Sequence, residues 1–268
     1  MQWFIGIHEG SPAWQQYAQM AKVAIHTALE RTSLEPHCIY DGGDNDFTAW
    51  LDQRGVPIIR RKSFLRPELE ALGERENDPA LPAVARGALL RVELPGLQEA
   101  LALDDYVLYT DCDVIFRADV VDMLRPIRCD YFAVAAESNR AKPEEMNSGV
   151  MWMNLPGMHR RDAEFRTYMR EHIDRLPRMS WDQGAYSSFY KSREQGYQWQ
   201  TLPPELNWKP YWGDYTEAKI IHFHGPKPFQ RNHIDSHWPE LKHLTGGAYA
   251  ELCARWDDLL REAEMRAR

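Results

Sequence analysis

The chain has 268 residues, 44% of them hydrophobic, so it can bury a full core and form one large domain. Its net charge of −8, from 40 acidic and 32 basic residues, disfavours a general nucleic-acid binder. No stretch approaches the roughly 20 apolar residues that cross a bilayer, and the N-terminus lacks a basic signal-peptide region. Four widely spaced cysteines form no CxxC pair. We expect a cytoplasmic protein with buried thiols, and peripheral membrane contact remains open.

The first part of the chain alternates strand and helix patterns. Ser11 and Pro12 supply a hydroxyl cap and a first-turn proline, which predict a helix that runs from there to about Glu30. The β–α–β–α–β succession predicts a parallel sheet with right-handed crossovers. Stretch 67–82, rich in Pro, Glu and Gly, is expected to be a mobile surface segment. Strands are predicted at 1–7, 37–40, 56–60, 106–110, 129–135, 148–154 and from 220, and helices at 11–30, 47–54, 83–93, 161–173, 181–190 and 248–267.

Two aspartates, Asp111 and Asp113, directly follow the predicted strand 106–110. Alternate positions at a strand end bring both carboxylates near one point at the edge of the sheet. Carboxylates that close repel each other unless a proton or a cation lies between them. Mg²⁺ or Mn²⁺ fits such a site, since hard divalent ions prefer oxygen ligands and accompany phosphate-bearing substrates. The alternative is that these aspartates only cap a turn or a helix.

Two later segments supply polar groups where an α/β sheet binds its ligands. Asn147, Ser148 and Gly149 precede or open a predicted strand, and the glycine would let the backbone approach a ligand; an ordinary turn is the alternative. Asp182 and Gln183 open a predicted helix, where Asp182 could simply be the N-cap.

A third segment, 222–228, brings an imidazole, a glycine and a lysine within a few positions. A neutral imidazole beside a carboxylate pair is a good third ligand for Mn²⁺, which makes His222 a candidate. Lys227 could then neutralise a phosphate. If the strand continues, His224 points to the opposite face, so His222 is the only histidine that we assign to the metal.

Taken in order along most of the chain, these motifs resemble glycosyltransferase family 8. The resemblance rests on Arg91 in a predicted helix, Tyr109-Thr110-Asp111-Cys112-Asp113, Asn147-Ser148-Gly149-Val150, Asp182-Gln183 and His222-Phe223-His224-Gly225-Pro226-Lys227-Pro228. It implies an α/β, GT-A-type (Rossmann-like) fold with a mostly parallel sheet flanked by helices. It also implies a retaining hexosyltransferase that moves a sugar from a nucleotide sugar, such as a UDP-sugar, to a saccharide or other hydroxyl acceptor. We expect one catalytic domain at 1–245 and a C-terminal helix, 246–268, packed on it.

The resemblance also implies a role for each motif residue. By it, Asp111, Asp113 and His222 hold Mn²⁺ or Mg²⁺, and Lys227 contacts the diphosphate. The remaining expected site residues are Arg91, Asn147, Ser148 and Gly225 around the donor, and Asp182 and Gln183 at the reaction centre.

Three departures from the family pattern affect these assignments. The segment from Gly225 to Lys227 is one residue shorter than in many members and is not followed by Trp, so the reach of the lysine is an open question. Segment 8–11, His-Glu-Gly-Ser, replaces the Asp and nearby Tyr that often bind the nucleotide base. Cys112 occupies the middle of the metal motif and is expected to point away from the ion.

Several alternatives stay open at this stage. Retention could follow same-face attack guided by the leaving phosphate, or a covalent route with Asp182 as nucleophile. Trp208, Tyr211 and Trp212 could stack on an acceptor sugar or simply pack. The strand followed by Asp-x-Asp also resembles a Mg²⁺-dependent phosphatase of the haloacid-dehalogenase type, although that motif normally lies on the first strand. A non-catalytic glycan-binding relative is the third reading.

Overall fold

The computed structural model describes residues 1–78, 80–233 and 247–265. In this part of the chain the strands are β1 (Gln2–His8), β2 (Glu35–Asp41), β3 (Ile58–Arg60), β4 (Tyr106–Thr110), β5 (Val114–Phe116), β6 (Phe132–Ala136), β7 (Met146–Asn154), β8 (Lys191–Ser192), β9 (Gly196–Tyr197), β10 (Gln200–Thr201) and β11 (Ile220–His222). The α-helices are α1 (Trp14–Arg31), α2 (Asp46–Gln53), α3 (Arg66–Glu76), α4 (Ala80–Ala88), α5 (Leu94–Leu101), α6 (Val121–Leu124), α7 (Leu155–His159), α8 (Asp162–Glu171), α9 (Asp182–Phe189) and α10 (Gly247–Met265).

Among the described residues, seven strands form the central sheet in the order β10-β6-β7-β4-β1-β2-β3. The pairs β1–β2, β1–β4, β2–β3 and β6–β10 are parallel, whereas β7 runs antiparallel to both β4 and β6. The sheet is therefore mostly parallel, as predicted. Parallel strands direct their carboxyl ends to one edge, which is where an α/β sheet binds its ligands.

A second, two-stranded sheet pairs β5 with β11 in antiparallel fashion. Its register places His222 opposite Val114, the first residue after the Asp-x-Asp motif. This pairing joins two segments that lie more than a hundred positions apart in the sequence, and it is the element that builds the site.

Each face of the central sheet buries its own apolar core. Because side chains alternate along a strand, Trp3 and Ile5 of β1 enter one core while Phe4 enters the other. The first core includes α1, β5, β11 and α10, and the second includes Leu89 and Leu90 with residues of α8 and α9. Helices thus cover both faces, as the sequence predicted.

Two sequence predictions about elements are wrong. Helix α1 begins at Trp14 rather than at Ser11, because the Ser11 hydroxyl accepts a hydrogen bond from the Ala13 amide (3.2 Å) in a turn that precedes the helix. The segment expected to be mobile contains α3 and the start of α4. Pro67 lies at the second position of α3, where a proline is tolerated, and Leu69 and Leu72 are buried.

Other predictions agree more closely with the structure. All four cysteines are free and buried. Within the described ranges, no helix is both long and apolar enough to cross a membrane. Predicted helix 83–93 divides into the end of α4 and a 3-10 turn, Leu89–Glu93, that carries Arg91. The expected domain boundary at 245/246 and the last three positions of the predicted C-terminal helix lie outside the described residues.

Candidate functional site

Asp111, Asp113 and His222 come together as the motifs predicted. The two aspartates occupy the turn between β4 and β5, and His222 ends β11. One ligand atom from each of the three side chains lies within 4.8 Å of the other two. A metal ion could therefore contact all three side chains.

Among the described residues, each of the three side chains binds one protein partner with one atom and turns a second atom towards the other two side chains. Asp111 Oδ1 accepts from Arg91 Nη2 at 2.6 Å, Asp113 Oδ2 pairs with Lys227 Nζ, and His222 Nδ1 lies 2.9 Å from Asn207 Oδ1. The remaining atoms face one another: His222 Nε2 lies 3.4 Å from Asp113 Oδ1 and 3.9 Å from Asp111 Oδ2. Three acceptor atoms that converge in this way suit a divalent cation.

The electrostatics of the cluster support this fit. Asp113 Oδ1 is buried and accepts no hydrogen bond from the described residues, which is costly for a carboxylate oxygen. Burial alone would raise the pKa of Asp113, but Lys227 and His222 outweigh it and hold that pKa below its ordinary value. Burial lowers the pKa of His222, which favours the neutral imidazole that binds metals.

Arg91 is buried next to Asp111, Asp113 and His222, which we call the metal triad, and it is surrounded by protein groups. Its Nε lies 2.8 Å from Asp182 Oδ2, its Nη1 donates to the Ser148 carbonyl, and its Cζ lies 4.5 Å from the centre of the Tyr109 ring. Arg91 thus forms ion pairs with two carboxylates, those of Asp111 and Asp182. Arg91 also lines the cavity described below, and its expected contact with the donor stays a prediction.

Asp182 and Gln183 lie at the start of α9. Asp182 is the first residue of the helix and its side chain is buried, so it is not the N-cap. Burial raises the pKa of Asp182 to about 6, against the attraction of Arg91. Gln183 Oε1 accepts from Asn147 Nδ2 and from the Ser148 amide, both at 3.0 Å. Both residues border the same cavity as the metal triad.

Two glycines of the motifs shape the backbone and the packing around the candidate site. A Cβ atom at Gly149 would lie 2.0 Å from His222 Cε1, so glycine is required there for His222 to occupy its place. Gly225 has φ +89°, a left-handed conformation that favours glycine. The turn there is followed by Lys227, whose Nζ reaches Asp113 and the Phe223 carbonyl (2.9 Å). The shortened motif therefore still brings the lysine to the metal triad.

A cavity of about 320 Å³ opens over this cluster. Gly225 is absent from its lining, as is Asn207, which lies behind His222. The predicted site residues that line it are Arg91, Asp111, Asp113, Asn147, Ser148, Asp182, Gln183, His222 and Lys227.

His224 also lines the cavity, which corrects the expectation that it faces away from His222. Strand β11 ends at His222, and the amide of His224 bonds back to the His222 carbonyl at 2.7 Å, so the alternation of a strand no longer applies. The two imidazole rings lie 5.8 Å apart. His224 Nε2 is 3.3 Å from Glu137 Oε1, and its Nδ1 is 2.7 Å from the Tyr211 hydroxyl.

Two residues of the site were missed in the sequence. Glu137 directly follows β6, so the rule that polar residues after strands form sites could have identified it. Asn207 is fully buried in an irregular segment, and no motif marks it. In this segment the sequence indicated only the neighbouring aromatic residues, Trp208, Tyr211 and Trp212, as candidates for contact with an acceptor sugar. Trp208 is buried, and Trp212 donates its indole N–H to the Ser138 carbonyl at 2.7 Å.

His8 lies at the end of β1, in the segment that departs from the family pattern. Its side chain lines the cavity and is buried, and Nδ1 has no hydrogen-bond partner among the described residues. Burial, together with the nearby Arg86, lowers the pKa of His8 to about 4, so the ring is neutral near pH 7. Its Nδ1 is therefore available for one further hydrogen bond at the wall of the cavity.

No protein-family model and no curated protein matches the sequence. Solved structures do resemble it. An active-site mutant of LgtC superposes with a TM-score of 0.64 at 17% identity, covering 98% of this chain and 96% of that one. GlyE of Streptococcus pneumoniae TIGR4 gives 0.62 at 15% identity and 97% coverage, and this chain spans 63% of its length. Mouse xyloside xylosyltransferase 1 gives 0.52 at 14% identity, with 84% and 97% coverage. The chain thus has the GT-A fold of these glycosyltransferases.

Proposed function

We propose that the protein is a divalent-metal-dependent glycosyltransferase that moves a hexosyl group from a nucleotide sugar to a saccharide or other hydroxyl acceptor, with retention of anomeric configuration. The observation that carries this proposal is the convergence of three free ligand atoms, from Asp111, Asp113 and His222, on a cavity at the carboxyl ends of the strands. The fold supports it, since similar structures include LgtC, a galactosyltransferase crystallised with donor and acceptor sugar analogs.

The metal site and Lys227 form the diphosphate end of the proposed donor site. Asp111, Asp113 and His222 would hold Mn²⁺ or Mg²⁺, which would offset the negative charge of the departing nucleoside diphosphate. Lys227 borders the cavity and carries an ammonium group 2.9 Å from the Phe223 carbonyl. Its pairing with Asp113 keeps the charge at the metal triad, where a diphosphate would be bound.

The nucleoside end of the donor is assigned to the end of β1. Nδ1 of His8 would form a hydrogen bond with the base or with a ribose hydroxyl and so satisfy an atom that has no partner among the described residues. The sugar would then lie towards Asp182 and Gln183, where the anomeric carbon develops positive charge as in glycoside hydrolysis. The buried Asp182 carboxyl would stabilise that charge.

Release of nucleoside diphosphate from a panel of nucleotide sugars, with and without Mn²⁺, tests this proposal. We expect slow donor hydrolysis that requires Mn²⁺ and that Asp113→Asn abolishes, since this change removes ligand charge at constant volume. Lys227→Ala should weaken donor binding through the diphosphate, and an effect confined to acceptor affinity would contradict that role. Cleavage of a simple phosphomonoester would instead indicate a phosphatase, and no turnover of either substrate would indicate a binding protein.

A further inference from the structure

A chain of side-chain amides connects His222 to a second carboxylate that lines the cavity, that of Glu137. His222 Nδ1 lies 2.9 Å from Asn207 Oδ1, and Asn207 Nδ2 donates to Asn147 Oδ1 at 2.9 Å. Asn147 Nδ2 donates to Gln183 Oε1 at 3.0 Å, and Gln183 Nε2 donates to Glu137 Oε1 at 2.8 Å. We call these four residues, Glu137, Gln183, Asn147 and Asn207, the amide relay.

Two backbone amides fix the direction of every hydrogen bond in the relay. The Ser148 N–H donates to Gln183 Oε1 at 3.0 Å, so this side of the Gln183 amide must be its oxygen. The Gly149 N–H donates to Asn147 Oδ1 at 3.3 Å, which orients Asn147 in the same way. A backbone N–H can only donate, and an amide group presents one oxygen and one NH₂, so neither side chain can be reversed without loss of a hydrogen bond.

The orientation of Asn207 follows from that of Asn147. Since Asn147 presents its oxygen, Asn207 must offer its NH₂ group there, and it then turns its own oxygen towards His222. An oxygen at this position can only accept, so His222 Nδ1 must carry a hydrogen. Nε2 is therefore the ring nitrogen left to bind a cation, and it faces Asp111 and Asp113.

The ring nitrogen left over by this assignment faces the two carboxylates. His222 Nε2 lies 3.4 Å from Asp113 Oδ1 and 3.9 Å from Asp111 Oδ2, so a cation bound by Nε2 would also reach both aspartates.

We propose that Asn207 is a positioning residue: through the amide relay it holds His222 in the Nδ1–H tautomer and so prepares Nε2 as a metal ligand. Partners of this kind usually orient a metal-bound histidine and tune its affinity for the ion. The relay also gives Gln183 a structural task, because its oxygen already accepts two hydrogen bonds. Asn147 and Gln183 therefore support His222 through Asn207. The part of this inference that concerns metal affinity rests on the proposed function, whereas the tautomer does not.

Nitrogen-15 NMR of histidine-labelled, metal-free protein tests the tautomer directly, and a His222→Gln variant assigns the signals of the ring. We expect the wild-type spectrum at pH 8 to show a protonated Nδ1 and an unprotonated Nε2 at His222. A predominant Nε2–H form would overturn the inference. This readout depends neither on turnover nor on bound metal, so it remains decisive if no nucleotide sugar is ever found to react.

Variants at both ends of the relay separate positioning from mere packing. Asn207→Ala should shift His222 to a mixture of tautomers and weaken Mn²⁺ binding about 10- to 100-fold, measured by titration without any sugar donor. Asn207→Asp should retain the Nδ1–H form, since a carboxylate oxygen still accepts. Glu137→Gln is the matched control at the far end: its amide oxygen can still accept from Gln183, and the two backbone amides still orient Asn147 and Gln183.

The outcomes of these experiments are distinct. An unchanged tautomer and unchanged Mn²⁺ affinity in a folded Asn207→Ala protein would overturn the role of Asn207. If Asn207→Ala does not fold, the wild-type and Asn207→Asp spectra still decide the tautomer. If the wild-type protein shows the expected tautomer but binds no Mn²⁺, the proposed function fails while the relay stands.

Discussion

At the scale of single residues, the candidate site is organised before any ligand arrives. Arg91 orients Asp111, Lys227 orients Asp113, and Asn207 orients His222, each by binding one atom of the ligand side chain. The second atom of each ligand is left facing the same point. Preorganisation of this kind spares the chain the cost of rearranging these buried groups when a cation binds.

Gly149→Ala tests how tightly the site is packed. A Cβ at this position would lie 2.0 Å from His222 Cε1, so the ring must move away from Asp111 and Asp113. We expect Mn²⁺ affinity to fall by at least about tenfold, as when the support of a metal ligand is lost. Gly96→Ala is the control, since its Cβ would make only ordinary van der Waals contacts, with Arg166 at 3.6 Å and with Asp162 at 3.7 Å. Equal Mn²⁺ affinity in both variants, measured by titration, would contradict this account.

The three candidate metal ligands could be predicted from the sequence because each combines a suitable side chain with a position at the end of a strand. Asp111 and Asp113 follow a buried strand, and His222 ends another, so strand-end rules locate them. Asn207 could not be found in this way, because its role depends on a hydrogen bond to a residue 15 positions away. His224 was predicted to face away from His222 because the sequence does not show that β11 ends at His222.

At the scale of elements, a buried lysine, Lys209, joins the end of β6 to the turn that carries the aromatic residues. The side chain of Lys209 is fully buried, and its Nζ donates to the Ala136 carbonyl at 2.7 Å and lies 4.5 Å from the centre of the Trp212 ring. Burial lowers the pKa of Lys209 to about 7. The residue next to that carbonyl is Glu137, so Lys209 also supports the far end of the relay.

The lowered pKa of Lys209 predicts how stability depends on pH. Between about pH 7 and pH 10 the unfolded chain keeps a proton on this lysine that the folded protein lacks, so stability rises with pH in that window. Lys209→Met removes the effect. The free energy of unfolding of the wild type should therefore rise by about 2 kcal/mol relative to that of Lys209→Met between pH 7.5 and pH 9. Denaturant titrations at the two pH values measure it, and a constant difference would show that Lys209 titrates normally.

Element types were predicted more reliably than their limits. Strands β2 and β4 and helix α2 appear within two residues of their predicted positions, because alternation and helical periodicity mark them. The prediction for segment 67–82 was wrong because its content of Pro, Glu and Gly was taken to indicate a mobile surface segment. Pro67 instead lies in the first turn of α3, where its missing N–H costs nothing, and the burial of Leu69 and Leu72 stabilises the helix.

At the scale of the whole molecule, the C-terminal helix belongs to the same core as the sheet. Trp256 and Leu259 of α10 are buried in the core that contains α1. The Trp50 indole donates to the Ala263 carbonyl at 3.2 Å, and the Tyr249 hydroxyl donates to the Lys227 carbonyl at 3.0 Å. Helix α10 thus supports the lysine of the candidate site. We infer that helix α10 and the sheet on which it packs unfold together, as one domain.

Trp256→Ala tests this unity. Loss of a buried tryptophan should reduce the free energy of unfolding by about 3–5 kcal/mol. Helix content and tryptophan fluorescence should then report a single transition, shifted as a whole. Leu101→Ala, at a position 42% exposed on α5, is the control and should change stability by less than about 0.5 kcal/mol. Two separate transitions in the Trp256 variant would show that α10 is an independent unit.

The account depends most on a cation shared by Asp111, Asp113 and His222. Electron paramagnetic resonance of Mn²⁺ titrated into the protein, alone and with UDP, measures this directly. We predict one Mn²⁺ bound per chain by the wild-type protein, held more tightly with UDP, and no bound Mn²⁺ in a folded Asp113→Asn variant at the same concentrations. Equal binding of Mn²⁺ by the wild type and by Asp113→Asn would contradict the account.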